Sequence, residues 1–220
     1  GAQPYLLTGG SKGILLIHGL GGSGDDFRLA AQLLHQAGWT VSVMRVAGHG
    51  MTWREAGQAH LSDWRLSVDQ ALQELQSHCS TIFILGSSFG GALAFDAAAR
   101  HLGAIKGLIV VNTPLSYRVG GGFQTIGLHL LQLFSPVFPK PGLSKADKEK
   151  YTTSGSLPAW PIGLILESKD FLRKIVRPAL TTLRLPLLRL GNSNDPDIGF
   201  EMGSEIDSLS RVPLPHIHSV

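Results

Sequence analysis

Gly86-Ser87-Ser88-Phe89-Gly90 has the form G-x-S-x-G, and it lies between an apolar run (Thr81 to Leu85) and a small-residue stretch that opens at Gly90. That context is what a nucleophile elbow requires: a sharp strand-to-helix turn that lifts a hydroxyl clear of the backbone at a helix N-terminus. The chemistry that follows is attack of Ser88 on an electrophilic carbonyl. A tetrahedral intermediate then carries a negative oxygen, which needs N–H donors already in place. His18-Gly19-Leu20-Gly21-Gly22, directly after the run Ile14 to Ile17, is a glycine-rich turn able to aim one donor. The expected pair is the backbone N–H of Leu20 and of Phe89, the residue after the nucleophile.

A competing reading takes the same loop as a phosphate cradle. Gly19-Leu20-Gly21-Gly22-Ser23-Gly24 spells G-x-G-x-x-G after a strand and before a helix. That fingerprint also asks for an acid at the end of the second strand, to bind a ribose. Here the strand ends Met44-Arg45-Val46. The dinucleotide reading also leaves Ser88 without a role, so the acyl-transfer reading is preferred.

The elements that must position these residues alternate. Strands are expected at Ile14–Ile17, Thr40–Val46, Thr81–Leu85, Leu108–Val111 and Leu185–Leu190, with a last short one at Val212–Leu214. Helices are expected near 25–36, stopped by Gly38, at 61–76 with Ser62 as its cap, and at 90–100. Phe27, Leu29, Ala30, Leu33 and Leu34 are read as the buried face of the first. Trp64, Val68, Ala71, Leu72 and Leu75 are read as that of the second. Strand–helix alternation predicts an α/β fold with a mainly parallel sheet covered on both faces. The rhythm breaks from Pro114 to Pro178, too long for a plain loop. Residues 115–178 are therefore read as a small inserted cap, with 1–114 and 179–220 forming the core. Its apolar segment Phe123 to Phe138 offers Phe123, Ile126, Leu130 and Phe134 as candidate acyl-pocket residues. Core packing is an equal reading of that segment, because hydrophobicity alone does not separate the two.

Composition narrows the classes. Charged residues are 16% of the chain, against about 25% usually, and hydrophobic residues are 43%, which suits a folded core. The net charge is +3, carried by scattered basic residues, and no basic stripe with interleaved aromatics points to nucleic acid. The single cysteine, Cys79, forms no internal disulfide. No run approaches the ~18 apolar residues of a membrane helix. The chain starts Gly1-Ala2 and shows no leader pattern, so a cytoplasmic location is the expectation.

These pieces together resemble the α/β-hydrolase superfamily and, within it, the bacterial carboxylesterases and monoacylglycerol lipases. The motifs that carry the likeness are His18-Gly19-Leu20, Gly48-His49-Gly50, Leu61-Ser62-Asp63-Trp64 at a helix start, Gly86-Ser87-Ser88-Phe89-Gly90, and Pro186 nine residues before Asp195. The resemblance spans most of residues 12–195. It implies serine hydrolysis of carboxyl esters, no cofactor, and an acyl pocket under a small cap. The same triad also serves thioesterases and acyltransferases, and a non-catalytic ligand-binding member of the fold is the other alternative.

In this fold the triad runs in the order Ser, Asp or Glu, then His. The acid is expected just after the strand Pro186–Leu190, in Asn192-Ser193-Asn194-Asp195-Pro196-Asp197, with Asp195 chosen and Asp197 the alternative. Only His216 and His218 follow. The family pattern favours His218 as base, with His216 the alternative; a metal at this His-x-His pair would need further ligands. His49 is read as structural, shaping the loop near the site, Trp53, Trp64 and Trp160 as packing residues, Cys79 as a buried thiol, and Asp170 and Lys145–Lys150 as surface.

Overall fold

The computed structural model describes residues 3–50, 52–116, 122–140, 144–191 and 206. In chain order these form β1 (Tyr5–Leu7), β2 (Lys12–Ile17), a 3₁₀ turn (Gly24–Phe27), α1 (Arg28–Gln36), β3 (Thr40–Val43), α2 (Trp53–Ala56), α3 (Leu61–His78), β4 (Thr81–Ser87), α4 (Phe89–Arg100) and β5 (Ile105–Val111). Next come α5 (Gly122–Gln132), β6 (Val137–Pro139), α6 (Lys145–Ser154) and β7 (Ala159–Pro161). The chain returns through α7 (Ile162–Phe171), a π-helical turn (Leu172–Val176) and α8 (Arg177–Thr182) to β8 (Leu187–Leu190). Pro178, which has no N–H to give, lies directly after the π-helical turn in a helical backbone that runs unbroken through Val176 and Arg177.

Six strands make one sheet in the order β1-β3-β2-β4-β5-β8. All neighbours are parallel except β1, which adds to β3 antiparallel at the edge. The middle of the sheet is apolar: in β2, Ile14 to Ile17 are all buried, as expected where helices cover both faces. One face carries α3, α4 and the α7–α8 stretch, where Trp64, Leu72, Phe89, Phe95, Phe171, Leu172 and Leu180 interdigitate. The other carries Phe27 and Ala31 against Ile14, Leu16, Val41 and Val43. β6 and β7 form a separate antiparallel pair with Phe138 opposite Trp160.

Three details differ from the expectations. On α1, Leu29 and Leu33 face outward, at 68% and 57% exposed; Phe27 and Ala31 are the buried positions, with Ala30 and Leu34 packed beside them. The apolar stripe is offset from the expected one because Ala31, a weak hydrophobe, occupies its centre. The cap of α3 is His60, not Ser62: Asp63 accepts the His60 N–H at 2.9 Å, and Glu167 of α7 accepts the Leu61 N–H at 2.6 Å. The third strand ends at Val43 rather than Val46, because the Val46 N–H is diverted to the His18 ring. The expected strand at Val212–Leu214 lies outside the described residues.

Polar residues brace α3 against α4. Asp96, only 3% exposed at its side chain, receives Arg65 at 2.6 and 3.0 Å and the Arg100 Nε at 2.9 Å. Arg100 also reaches Asp69 at 2.7 Å, and His101 shares that carboxylate at 2.8 Å.

Candidate active site

Ser88 joins β4 to α4 with φ 52° and ψ −124°, a left-handed backbone state that costs a non-glycine residue on the order of 1–3 kcal/mol. The strain is held from both sides. The Ser88 N–H donates to the Val111 carbonyl at the end of β5 at 2.7 Å, and the Gly91 N–H donates to the Ser88 carbonyl at 3.0 Å. Gly90 must be glycine for close approach: a Cβ there would collide with the Ile17 and His18 carbonyls. That lack of a side chain lets α4 start hard against the end of β2. The Ser88 hydroxyl is half-buried and stands over the next loop. A Cβ on Gly19 would lie 3.1 Å from the Ser88 Cβ and 3.7 Å from its Oγ.

Phe89 is the first residue of α4, so its N–H has no partner within the helix and points out of the N-terminus. Its side chain is buried edge-on against Trp64 and Phe171, with ring centroids 5.2 and 5.7 Å away. The N-terminus of α4 therefore sits on a fixed aromatic base.

The loop 19–22 is a turn closed by the Gly22 N–H on the Gly19 carbonyl at 3.0 Å. Gly21 has φ +71°, the value that a type II turn demands at its third position. His18 supports the same carbonyl. Its Nε2 accepts the Val46 N–H at 3.1 Å, so the proton resides on Nδ1, which donates to the Gly19 oxygen at 3.0 Å. Because a peptide is planar and trans, fixing the Gly19 carbonyl aims the Leu20 N–H the opposite way. Burial holds the His18 pKa down at about 4, and the ring is neutral at neutral pH. His49 lies beside it with ring centroids 5.1 Å apart. Burial, and then the neighbouring His18, lower its pKa to about 3. Its Nδ1 donates to the Ala47 carbonyl at 3.1 Å, and its Nε2 is buried without a partner.

Residues from the end of α6 to β7 also hold this loop. The Trp160 indole N–H donates to the Leu20 carbonyl at 3.3 Å, the Leu157 N–H to the Gly21 carbonyl at 2.7 Å, and the Ser23 hydroxyl to the Ser154 carbonyl at 2.7 Å. Lys140 lies over the Tyr151 and Trp160 rings, 4.3 and 5.1 Å from their centroids. Burial pulls its pKa down to about 8, with Asp26 acting in the opposite direction. These contacts were not readable from the sequence. Trp160 was assigned to packing, and no spacing rule links it to Leu20, 140 positions away.

Asp195, Asp197, His216 and His218 lie outside the described residues. Of the expected acyl-pocket residues, Phe123 falls in the first turn of α5. Ile126, Leu130 and Phe134 are exposed, Phe134 at 88%. Asp170 is on the surface with Arg173 and Lys174, as expected. Among the described residues, no helix is long and apolar enough to cross a membrane.

Residues 11–156 match the family Hydrolase_4, described as serine aminopeptidase, S33. The chain is 30% identical over 183 residues to a thermostable monoacylglycerol lipase of Bacillus sp. (strain H-257), covering 82% of this chain and 72% of that protein. It is 29% identical over 114 residues to a carboxylesterase of Bacillus subtilis (strain 168), covering 51% of this chain and 46% of that one. Among solved structures, one from the work on LipS and LipT, two metagenome-derived lipolytic enzymes, superposes with a TM-score of 0.82. It has 26% identity and covers 96% of this chain and 83% of its own. The monoacylglycerol lipase of Paleococcus ferrophilus, at 18% identity, matches in fold with a TM-score of 0.72, covering 96% of this chain and 85% of its own.

Proposed function

Because the chain belongs to the Hydrolase_4 (serine aminopeptidase, S33) family of α/β-hydrolases, we propose that it is a carboxylic ester hydrolase acting through an acyl-enzyme on Ser88. The observation that carries this reading is the backbone of Ser88 itself. A strained positive φ, held by two hydrogen bonds, sets a half-buried serine over Gly19, the backbone state in which a nucleophile elbow presents its hydroxyl. The monoacylglycerol lipase and carboxylesterase relatives support carboxyl esters, short- to medium-chain acyl esters or monoacylglycerols, as the substrate class.

In this mechanism Ser88 Oγ attacks the ester carbonyl while His218, or His216 in its place, takes the hydroxyl proton. Asp195, or Asp197, orients the imidazole and stabilises its charged form. The N–H groups of Leu20 and Phe89 receive the negative oxygen. Collapse breaks the bond to the alcohol, which leaves with the proton from the histidine. Water, activated by the same histidine, then attacks the acyl-Ser88 carbonyl and releases the acid. The segment 115–178 acts as a cap, and α5 supplies apolar side chains to the acyl chain.

The test is labelling with a fluorophosphonate probe, mapped by peptide mass, beside hydrolysis of p-nitrophenyl butyrate. The wild type is expected to label at Ser88 and to turn over the ester, and Ser88→Ala to do neither. Labelling elsewhere, or undiminished turnover by Ser88→Ala, overturns the assignment.

A further inference from the structure

Lys140 follows β6 directly, and its backbone N–H donates to the Pro158 carbonyl at 3.4 Å, just before β7. The side chain is half-buried and ends at two aromatic rings, Tyr151 of α6 and Trp160 of β7. A Cβ on Gly21 would lie 3.5 Å from Nζ, so the loop after β2 closes a third side. A lysine that leaves water usually gains a partner for its N–H donors. Among the described residues, Lys140 Nζ makes no hydrogen bond and no ion pair. Asp26 on the 3₁₀ turn acts on it through space, and His49 feels its charge from the loop after β3. The rings attract a cation, but they displace the water that would solvate it.

We propose that Lys140 is an acylation site: its neutral amine takes an acyl group from small activated acyl donors, either acyl phosphates or acyl thioesters. The amine lone pair attacks the donor carbonyl carbon and a C–N bond forms. The bond from that carbon to the phosphate oxygen or the thioester sulfur breaks, and its electron pair leaves with the phosphate or thiolate. The proton lost from nitrogen goes to the leaving group. The product is a neutral amide against the two rings, and the positive charge beside Gly21 and Asp26 is gone. The site does not rest on the reading of Ser88.

Desolvation without a paired acid favours the free amine. With its pKa at about 8 rather than 10.5, about a tenth of the Lys140 amines are neutral at pH 7, roughly 300 times the share of an ordinary lysine. A less basic amine is also a weaker nucleophile. With a Brønsted slope like the ~0.4–0.5 of thiolates, that takes back about an order of magnitude. The net advantage at pH 7 is about twentyfold.

The test treats the folded protein with acetyl phosphate and, separately, with S-acetyl-N-acetylcysteamine. Nα-acetyl-lysine methylamide is present in the same tube as the reference amine. Acetylation is followed residue by residue by peptide mass spectrometry at several pH values up to strongly alkaline. Lys140 is expected to react about twentyfold faster than the reference amine at neutral pH. Its rate is expected to level off above a midpoint near pH 8, where the reference amine is still accelerating. Ser88→Ala is expected to acetylate at Lys140 as fast as the wild type. Reaction with only one of the two donors supports the proposal and identifies the source as phosphate or thioester. A Lys140 rate no faster than the reference with both donors, a rate that keeps rising in parallel with the reference, or labelling that disappears in Ser88→Ala overturns it.

Discussion

The imidazoles of His18 and His49 stand 5.1 Å apart, both buried, each with one ring nitrogen committed to a backbone carbonyl. Neither readily accepts a second proton. Their pKa values fall to about 4 and about 3 from an ordinary 6.5. Below pH 6.5 the unfolded chain takes up protons that the folded chain refuses, so stability falls with pH until about 4 and 3 are reached. The loss across that window is expected to be on the order of a few kcal/mol. Urea unfolding between pH 7.5 and 4.5 should show the midpoint moving down, with a shallower fall in His49→Asn. A midpoint indifferent to pH over that range contradicts the burial argument.

Asp96 offers a second measure of what holds the core helices. It is buried and receives two arginines, so truncation leaves Arg100 and Arg65 without their shared acceptor. Asp96→Ala is expected to cost about 3 kcal/mol in urea or guanidinium unfolding. A cost under about 1 kcal/mol would mean that Asp69 takes over the Arg100 charge.

Lys140 titrates out of the usual lysine range because it is covered by two aromatic rings. With its pKa at about 8 rather than 10.5, the unfolded chain holds a proton between those values that the folded chain has released. Stability should therefore rise with pH across that window. Reductive methylation with ¹³C-formaldehyde should give one dimethyl-lysine resonance with a midpoint near pH 8. That resonance should be absent in Lys140→Arg.

The outer face of α5 and the turn after it leave Ile126, Leu130, Leu133 and Phe134 in solvent. A polar residue there is expected to change stability by less than about 0.5 kcal/mol. Phe134→Ser should therefore keep its melting temperature. As a residue of the acyl pocket it should lose activity on p-nitrophenyl dodecanoate relative to the butyrate. An unchanged ratio removes Phe134 from the pocket.

The sheet and the sharp strand-to-helix turn at Ser88 were legible because both rest on short-range rules. Apolar runs bounded by turns mark β2, β4 and β5, and the glycines around Ser88 mark a backbone that must bend sharply and pack closely. What escaped depends on partners far away in the chain. The Glu167 carboxylate caps α3 across 106 positions, which no local cap rule detects, so Ser62 was assigned in place of His60. The edge strand β1 has three residues, too few for a period to declare itself. Trp160 reaches the Leu20 carbonyl across 140 positions, from a strand that pairs with β6. Leu29 and Leu33 were misread because their spacing suits a buried stripe. Only the packing of α1 on the sheet reveals that Phe27 and Ala31 define it.

The ladder between β6 and β7 has three pairs. Side chains alternate across a strand, so a slip of one residue in that short ladder would turn the Trp160 ring to the opposite face. Insertions and deletions in the stretch 140–158 are therefore not equivalent to those in an ordinary surface loop. Length can change freely only if Phe138 and Trp160 stay paired. A loop-length library across this stretch should divide into two populations by the parity of the strand register rather than by the number of residues added.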